Sequence, residues 1–454
     1  MPHTPLPDDA DNATGARMPP SATSARSQAD TITHETNPLK RILLILGPGL
    51  IAGASDDDPS GIGTYAIAGA SSGFATLWLA LFSFPLQAAV QYICAKVGMV
   101  SGMGLAGVLR RHYPRWLLYP AVLGLVIANS INAGADIGAI AAAVNLLVPI
   151  PIVLMIVPIA LLIVGLQIWG SYRFIARVFK WLTLALLAYI GSAFFAHPNV
   201  SAVLRGTFIP TFRFDSTFLA TLVAILGTTI SPYLFFWQAD EEVEEELSMG
   251  RRRLWQRQGA TDAELKYAAM DVNIGMGFSN IVMYFIILAT GATLFPAGKT
   301  NIQSATDAAE ALRPLAGNAA TILFAVGLIG AGILAVPILT GSAAYAVAQA
   351  LGWQYGLDKK LGHAKLFYGV IAGATLLGML INFTGINPID ALFWTAVING
   401  FLAPPLLVII MLVANNRIVM GKRVNGRGIN VLGGITTIVM FAAAIMLVLT
   451  WGAS

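Results

Sequence analysis

The chain has 454 residues, 56% of them hydrophobic and only 11% charged, with a mean hydropathy of +0.72. Its 27 basic and 23 acidic side chains are too few to cover a soluble globule of this length, which excludes a cytoplasmic globular enzyme. The single cysteine, Cys94, excludes a disulfide framework, and a net charge of +4 is spread too thinly to bind nucleic acid.

In chain order, Met1 to Pro38 is polar and rich in Ser, Thr, Asp and Pro. It has no apolar run, so it reads as a disordered cytoplasmic tail (residues 1–40) rather than a signal peptide or a span. Eleven hydrophobic segments follow, each long enough for roughly 30 Å of hydrocarbon. They lie near 43–66, 74–95, 117–142, 148–168, 176–196, 217–238, 272–293, 318–347, 365–384, 388–414 and 430–451. No barrel-like alternation occurs, so the spans are helices and the fold class is an all-α integral membrane protein. The 45 glycines suit helices that pack backbone against backbone. With the N-terminus inside, twenty Lys and Arg flank the cytoplasmic ends of the spans, against four (Arg205, Arg213, Lys299 and Arg313) outside. Trp78, Trp116, Trp181, Trp394 and Trp451 mostly fall near the predicted interfaces and read as aromatic-belt anchors. An odd number of spans then puts the C-terminus outside, in a plasma-membrane protein expected to be a monomer or weak oligomer.

Two spans are interrupted. The first carries Gly53-Ala-Ser-Asp-Asp-Asp-Pro-Ser-Gly61, three consecutive carboxylates inside an apolar run. Such charge is costly in a membrane unless it faces protein, water or a cation. Pro59 breaks the helix ladder, and the glycines let the chain unwind. The sixth span repeats the plan at Gly227-Thr-Thr-Ile-Ser-Pro-Tyr233. Prolines at comparable depth in spans one and six point to a five-plus-five inverted repeat, over 41–196 and 217–414, with an eleventh helix at 430–451. The unwound segments would meet at the midplane, where Asp58 supplies anionic charge to a cation.

These residues resemble the NRAMP family of divalent-metal transporters. Asp58-Pro59-Ser60-Gly61 and Ser231-Pro232-Tyr233 stand where that family carries Asp-Pro-Gly-Asn and Met-Pro-His. Gln91-Tyr92-Ile93-Cys94-Ala95-Lys96-Val97-Gly98 and Arg417-Ile418-Val419-Met420-Gly421 are similar to family segments as well. The resemblance covers roughly residues 43 to 450 and implies the LeuT-like fold, transport by alternating access, no cofactor, and a divalent cation as cargo. It also implies a ligand set: Asp58 at the family's Asp, Gly61 in place of its Asn, the Thr228 carbonyl as donor, and Ser231 in place of the Met. Asp57 and a carbonyl near Ser55 are further candidate ligands, and Asp56 a candidate for orienting the unwound segment. Without a thioether the donors are all oxygen, which suits Mg²⁺, with Mn²⁺ also accepting them.

The family couples metal uptake to protons through acids of its third helix and histidines of its sixth. Here Tyr233 replaces the histidine after Pro232, and Gln238 occupies the second histidine-like place. An ungapped match puts Asp136 at the family's Glu and Ala133 at its proton-carrying Asp; a shifted register makes Asp136 that Asp instead. Because no histidine lies within a span, weak or absent proton coupling is expected. The membrane potential, about 2.3 kcal/mol per charge per 100 mV, would then drive the cation inward. Gln87, Gln91 and Asn399 are candidates for the ion path, and the acidic run Asp240 to Glu246 reads as a cytoplasmic helix extension with its solvated loop. Alternatives are proton-coupled Mn²⁺/Fe²⁺ import, or a cation-coupled organic-solute symporter on the same fold. No nucleophile–base pair or phosphate loop suggests an enzyme.

Overall fold

The computed structural model describes residues 47–169, 187–357 and 359–450. The predicted N-terminal tail, the first residues of span one, most of span five and the last residue of span eleven lie outside the described residues. So do the flanking positives Lys40, Arg41, Arg173, Arg177 and Lys180, and the predicted interface residues Trp181 and Trp451.

Every regular element described is helical. The first interrupted span is α1 (Pro48–Asp56) and α2 (Pro59–Ser72), followed by α3 (Trp78–Ser101), the short α4 (Leu105–His112), α5 (Arg115–Leu147) and α6 (Ile152–Trp169). Then come α7 (Ala188–Phe195), α8 (Val200–Phe208), the second interrupted span α9 (Ser216–Thr229) with α10 (Pro232–Ser248), and α11 (Asp262–Thr293). The chain closes with α12 (Ala320–Leu351), α13 (Lys365–Met379), α14 (Pro388–Asn415) and α15 (Arg427–Thr450). Nine helices among the described residues are long and apolar enough to cross a bilayer, counting α9 with α10 as one, against eleven predicted. The difference falls at span one, whose halves are each too short alone, and at span five, which is mostly outside the described residues.

Two boundaries differ instructively. Helix α11 starts ten residues before the predicted position 272, because Thr261 and Glu264 form a reciprocal capping box that nucleates it ahead of the apolar stretch. Helix α10 runs to Ser248, so the acidic run is helical; Asp240, Glu242 and Glu246 on it are 2%, 5% and 4% exposed, not solvated as expected. The polar face of α10 turns inward because Gln349 of α12 donates to Asp240, and Gln238 donates to Glu242 one turn on.

Glycine sets how closely the interrupted helices approach their neighbours. A Cβ added to Gly53 of α1 would stand 2.2 Å from the Gly275 carbonyl of α11, and one on Gly49 2.6 Å from the Val272 amide. In α9, a Cβ on Gly227 would meet the Ala396 carbonyl of α14 at 2.1 Å. With no hydrophobic driving force between helices in lipid, this backbone-to-backbone contact is what holds them. Large apolar residues such as Leu154, Leu161, Ile438 and Leu449 line the exterior, as do Trp116 and Trp394. Trp78, expected at the interface, is instead 8% exposed and packs on Phe82 and Phe212, because the segment carrying Phe212 folds over it.

Gly53→Val should therefore separate α1 from α11, at a cost of about 1–3 kcal/mol or more. A lower midpoint of thermal unfolding in detergent is expected, whereas Gly434→Val, where the added Cβ meets open space, should leave that midpoint unchanged.

Candidate functional site

Both interruptions have one design. Helix α1 stops at Asp56; Asp57 (φ −84°, ψ 49°) and Asp58 (φ −68°, ψ 168°) leave the helical region, and Pro59 starts α2. Helix α9 stops at Thr229; Ile230 (φ −114°, ψ 60°) and Ser231 (φ −81°, ψ 131°) follow, and Pro232 starts α10. Proline at the first helical position loses nothing there, since its missing N–H would have had no partner, and its fixed φ suits the helix.

The caps differ. Asp58 closes α2 by accepting from the Gly61 amide at 2.7 Å and the Ser60 hydroxyl at 2.8 Å, all on Oδ1. Ser231 makes no such cap: its hydroxyl turns back to donate to the Gly227 carbonyl at 3.0 Å and to that of Thr228. The N-terminus of α10 is thus left without a side-chain cap. The two breaks approach each other at Gly61, where an added Cβ would sit 3.1 Å from Thr228 Oγ1 and 3.2 Å from the Asp56 carbonyl. A residue with a side chain at 61 would press on Thr228.

Around Asp58 the polar groups form a branching chain. Asn132 of α5 donates to Asp58 Oδ2 and to Asp136 Oδ2, each at 3.1 Å, and its own carbonyl accepts from Asn399 of α14 at 2.9 Å. On the other side of α1, Asp56 Oδ2 accepts from Gln87 of α3 at 2.5 Å and from Ser279 of α11 at 2.6 Å. The Ser279 oxygen also lies 3.2 Å from Asp57 Oδ1, and Asn280 donates to Gln87. Tyr233 of α10 donates to the Ser55 carbonyl at 2.8 Å, tying the two breaks together. All four carboxylates are at most 1% exposed, and none is ion-paired among the described residues. Asp56 Oδ1, Asp57 Oδ2, Asp136 Oδ1 and Asn399 Oδ1 lack a hydrogen-bond partner among the described residues. The cluster is rich in oxygen acceptors and short of donors, which is what a cation, rather than an anion or a neutral solute, complements.

The sequence-chosen residues divide accordingly. Asp56, Asp57, Asp58, Gly61, Ser55, Thr228, Ser231, Tyr233, Gln87, Asp136 and Asn399 are joined in this network or at the meeting of the breaks. Gln91 is buried with both amide atoms unpartnered among the described residues, and Gln238 is bonded to Glu242 instead. Asn132, one helical turn before Asp136, is the hub that links three of the helices. Ser279 was missed altogether; the adjoining Ser279-Asn280 pair within the apolar run of α11 is the signal that could have found it. Among the described residues no three His, Cys, Asp or Glu side chains gather as a tightly bound resident metal would require.

A second carboxylate holds the other end of α1. Asp271 of α11 accepts from the backbone amides of Gly47, Gly49 and Leu50 at 3.0, 2.6 and 3.1 Å, satisfying amides that the start of a helix leaves without partners.

The family model described as natural resistance-associated macrophage protein-like matches residues 49–450. Among curated proteins, the divalent metal cation transporter MntH of Bacillus subtilis (strain 168) is 27% identical over 443 residues, spanning 94% of this chain and 97% of that one. Among solved structures, the manganese transporter of Eremococcus coleocola superposes with a TM-score of 0.69 at 18% identity, over 92% of this chain and 87% of that one. Mhp1, a nucleobase-cation-symport-1 family transporter, gives 0.55 at 12% identity, over 89% and 93%. These likenesses establish the LeuT-like fold with its discontinuous helices.

Ser279→Ala should remove the hydroxyl shared by Asp56 and Asp57, costing about 1–3 kcal/mol for buried acceptors left unserved. The thermal midpoint should fall, and Ser279→Thr, which keeps the hydroxyl, should restore most of it.

Proposed function

We infer the function of this chain from the premise that it belongs to the NRAMP family, whose model spans nearly all of it. Its activity is secondary transport of a divalent metal cation rather than catalysis, by alternating access about the two interrupted helices. The observation that carries this reading is the buried cluster of acceptor oxygens with unpaired carboxylate atoms where the breaks meet.

The cargo we propose is a hard divalent cation, Mg²⁺ first. Asp58, Asp57, the carbonyls of Ser55 and Thr228 and the hydroxyl of Ser231 would hold it, with Asp56, Gln87, Asp136 and Asn399 supporting. This donor set contains oxygen alone, which suits a hard cation, and Mg²⁺ keeps part of its water shell when bound. Tyr233 and Gln238 cannot exchange protons near neutral pH as histidine does, which supports weak or absent coupling through that route. Proton-coupled import of Mn²⁺ or Fe²⁺ is the second reading, favoured by the MntH relative and by the manganese transporter of the same fold. The organic-solute symporter is disfavoured by the density of carboxylates. We further propose eleven spans in the cell membrane, five in each of two inverted halves, 41–196 and 217–414, and an eleventh at 430–451, with the N-terminus cytoplasmic and the C-terminus outside.

Proteoliposome uptake of Mg²⁺, Mn²⁺, Ca²⁺ and Zn²⁺, with internal pH followed, tests both readings. Mg²⁺ uptake without acidification is expected; Mn²⁺ uptake with acidification would establish the second reading. Asp58→Ala should abolish uptake, and intact uptake in that variant would place the site elsewhere. Asn132→Leu should weaken the cation's apparent affinity about 10- to 100-fold, as loss of a group orienting metal ligands does.

A further inference from the structure

Sharing no residue with the carboxylate cluster at the breaks, a pocket of about 370 Å³ opens where three span ends meet. Its walls are Tyr92 and Lys96 near the C-terminal end of α3, the first two turns of α11 from Asp262 to Ala269, and the connector residues Lys422, Arg423 and Val424 that lead into α15. Four cations, Lys96, Lys266, Lys422 and Arg423, line it against one carboxylate, Asp262, which pairs with Arg423. That pair is exposed, Asp262 at 90%, so it holds Arg423 only weakly.

Lys96 is the informative member. It is 6% exposed, and its ammonium group donates to the Val424 carbonyl at 3.1 Å and to Asn425 Oδ1 at 3.2 Å. Both acceptors are neutral, so a buried charge stands without a counterion among the described residues. Asn425, 8% exposed and next to the lining residue Val424, adds a second signal: its amide nitrogen has no acceptor among the described residues, although its oxygen takes the Lys96 bond. Lys266 and Lys422 are exposed and without an ion pair among the described residues. The surplus here is of donors and positive charge, the reverse of the carboxylate cluster.

We propose that this pocket binds a phosphate group, carried by an anionic lipid headgroup or by a soluble phosphate. Phosphate accepts several charge-assisted bonds at once, so it can serve the lining residues Lys96, Lys266 and Lys422 together. The span ends and the half-buried Tyr92 put the pocket at headgroup depth, on the face where the chain's positive charges collect. Basic pockets between helices on that face recognise headgroups of anionic lipids. The site is separate from the proposed cation path, so its failure and that of the transport reading are told apart by different measurements.

The test uses the full chain in nanodiscs of phosphatidylcholine alone or mixed with phosphatidylglycerol, with retained lipid read by native mass spectrometry. Wild type should retain phosphatidylglycerol selectively, and K266Q/K422Q should retain it roughly 10- to 30-fold less. The control K360Q/K365Q, which removes equal charge from the same face, should behave as wild type. If phosphatidylglycerol is not enriched, but inorganic phosphate raises the thermal midpoint of wild type and not of K266Q/K422Q, the phosphate site stands and its source is soluble. If neither ligand distinguishes K266Q/K422Q from wild type, or if the control loses as much lipid, the proposal is overturned.

Discussion

Everything around the two breaks depends on Asp58 serving as a helix cap in an apolar bundle. A carboxylate placed among membrane helices is costly by several kcal/mol unless its oxygens find donors. Here one oxygen accepts from the start of α2, and the other takes a single bond from Asn132. That division fixes the break: Pro59 can begin α2 only if the residue before it leaves the helical region, and Asp58 does so while capping the helix it precedes. The second break lacks an equivalent anion, so the site is electrostatically one-sided, with charge from α1–α2 and neutral oxygens from α9–α10.

This polar arrangement is stable only because the interrupted helices are clamped from outside. Gly49 and Gly53 let α1 lie directly on α11, which brings Ser279 within reach of Asp56. Close packing thus supplies hydrogen bonds that the carboxylates need, and the same contacts exclude lipid from them. Asn132 works similarly from α5, connecting the Asp58 break to α14 through Asn399.

Much of this was legible in the sequence because prolines, aspartates and long apolar runs have local consequences. The two Pro-containing interruptions announced both breaks to within a residue or two, and the oxygen-rich character of the site followed from Asp56 to Asp58. What escaped depends on partners distant in sequence. Ser279 looks like any hydroxyl in a membrane helix until α11 is laid against α1. The acidic face of α10 reads as solvated because nothing local reveals that Gln349 covers Asp240. Trp78 was misjudged for the same reason, its burial being set by Phe212 more than 130 residues away. Composition misled in another way: a net charge averaged over the whole chain conceals the four cations gathered around one pocket.

The Asp271 clamp carries a consequence for how α1 is held. The amides of Gly47, Gly49 and Leu50 converge on one carboxylate, so losing Asp271 would leave all three unserved at once. Hydrogen bonds to a charged group are each worth about 1.5–3 kcal/mol, so a helix end held this way resists fraying residue by residue. The amino end of α1 is therefore held by charge, while further along the same helix Gly53 is held by close backbone packing on Gly275.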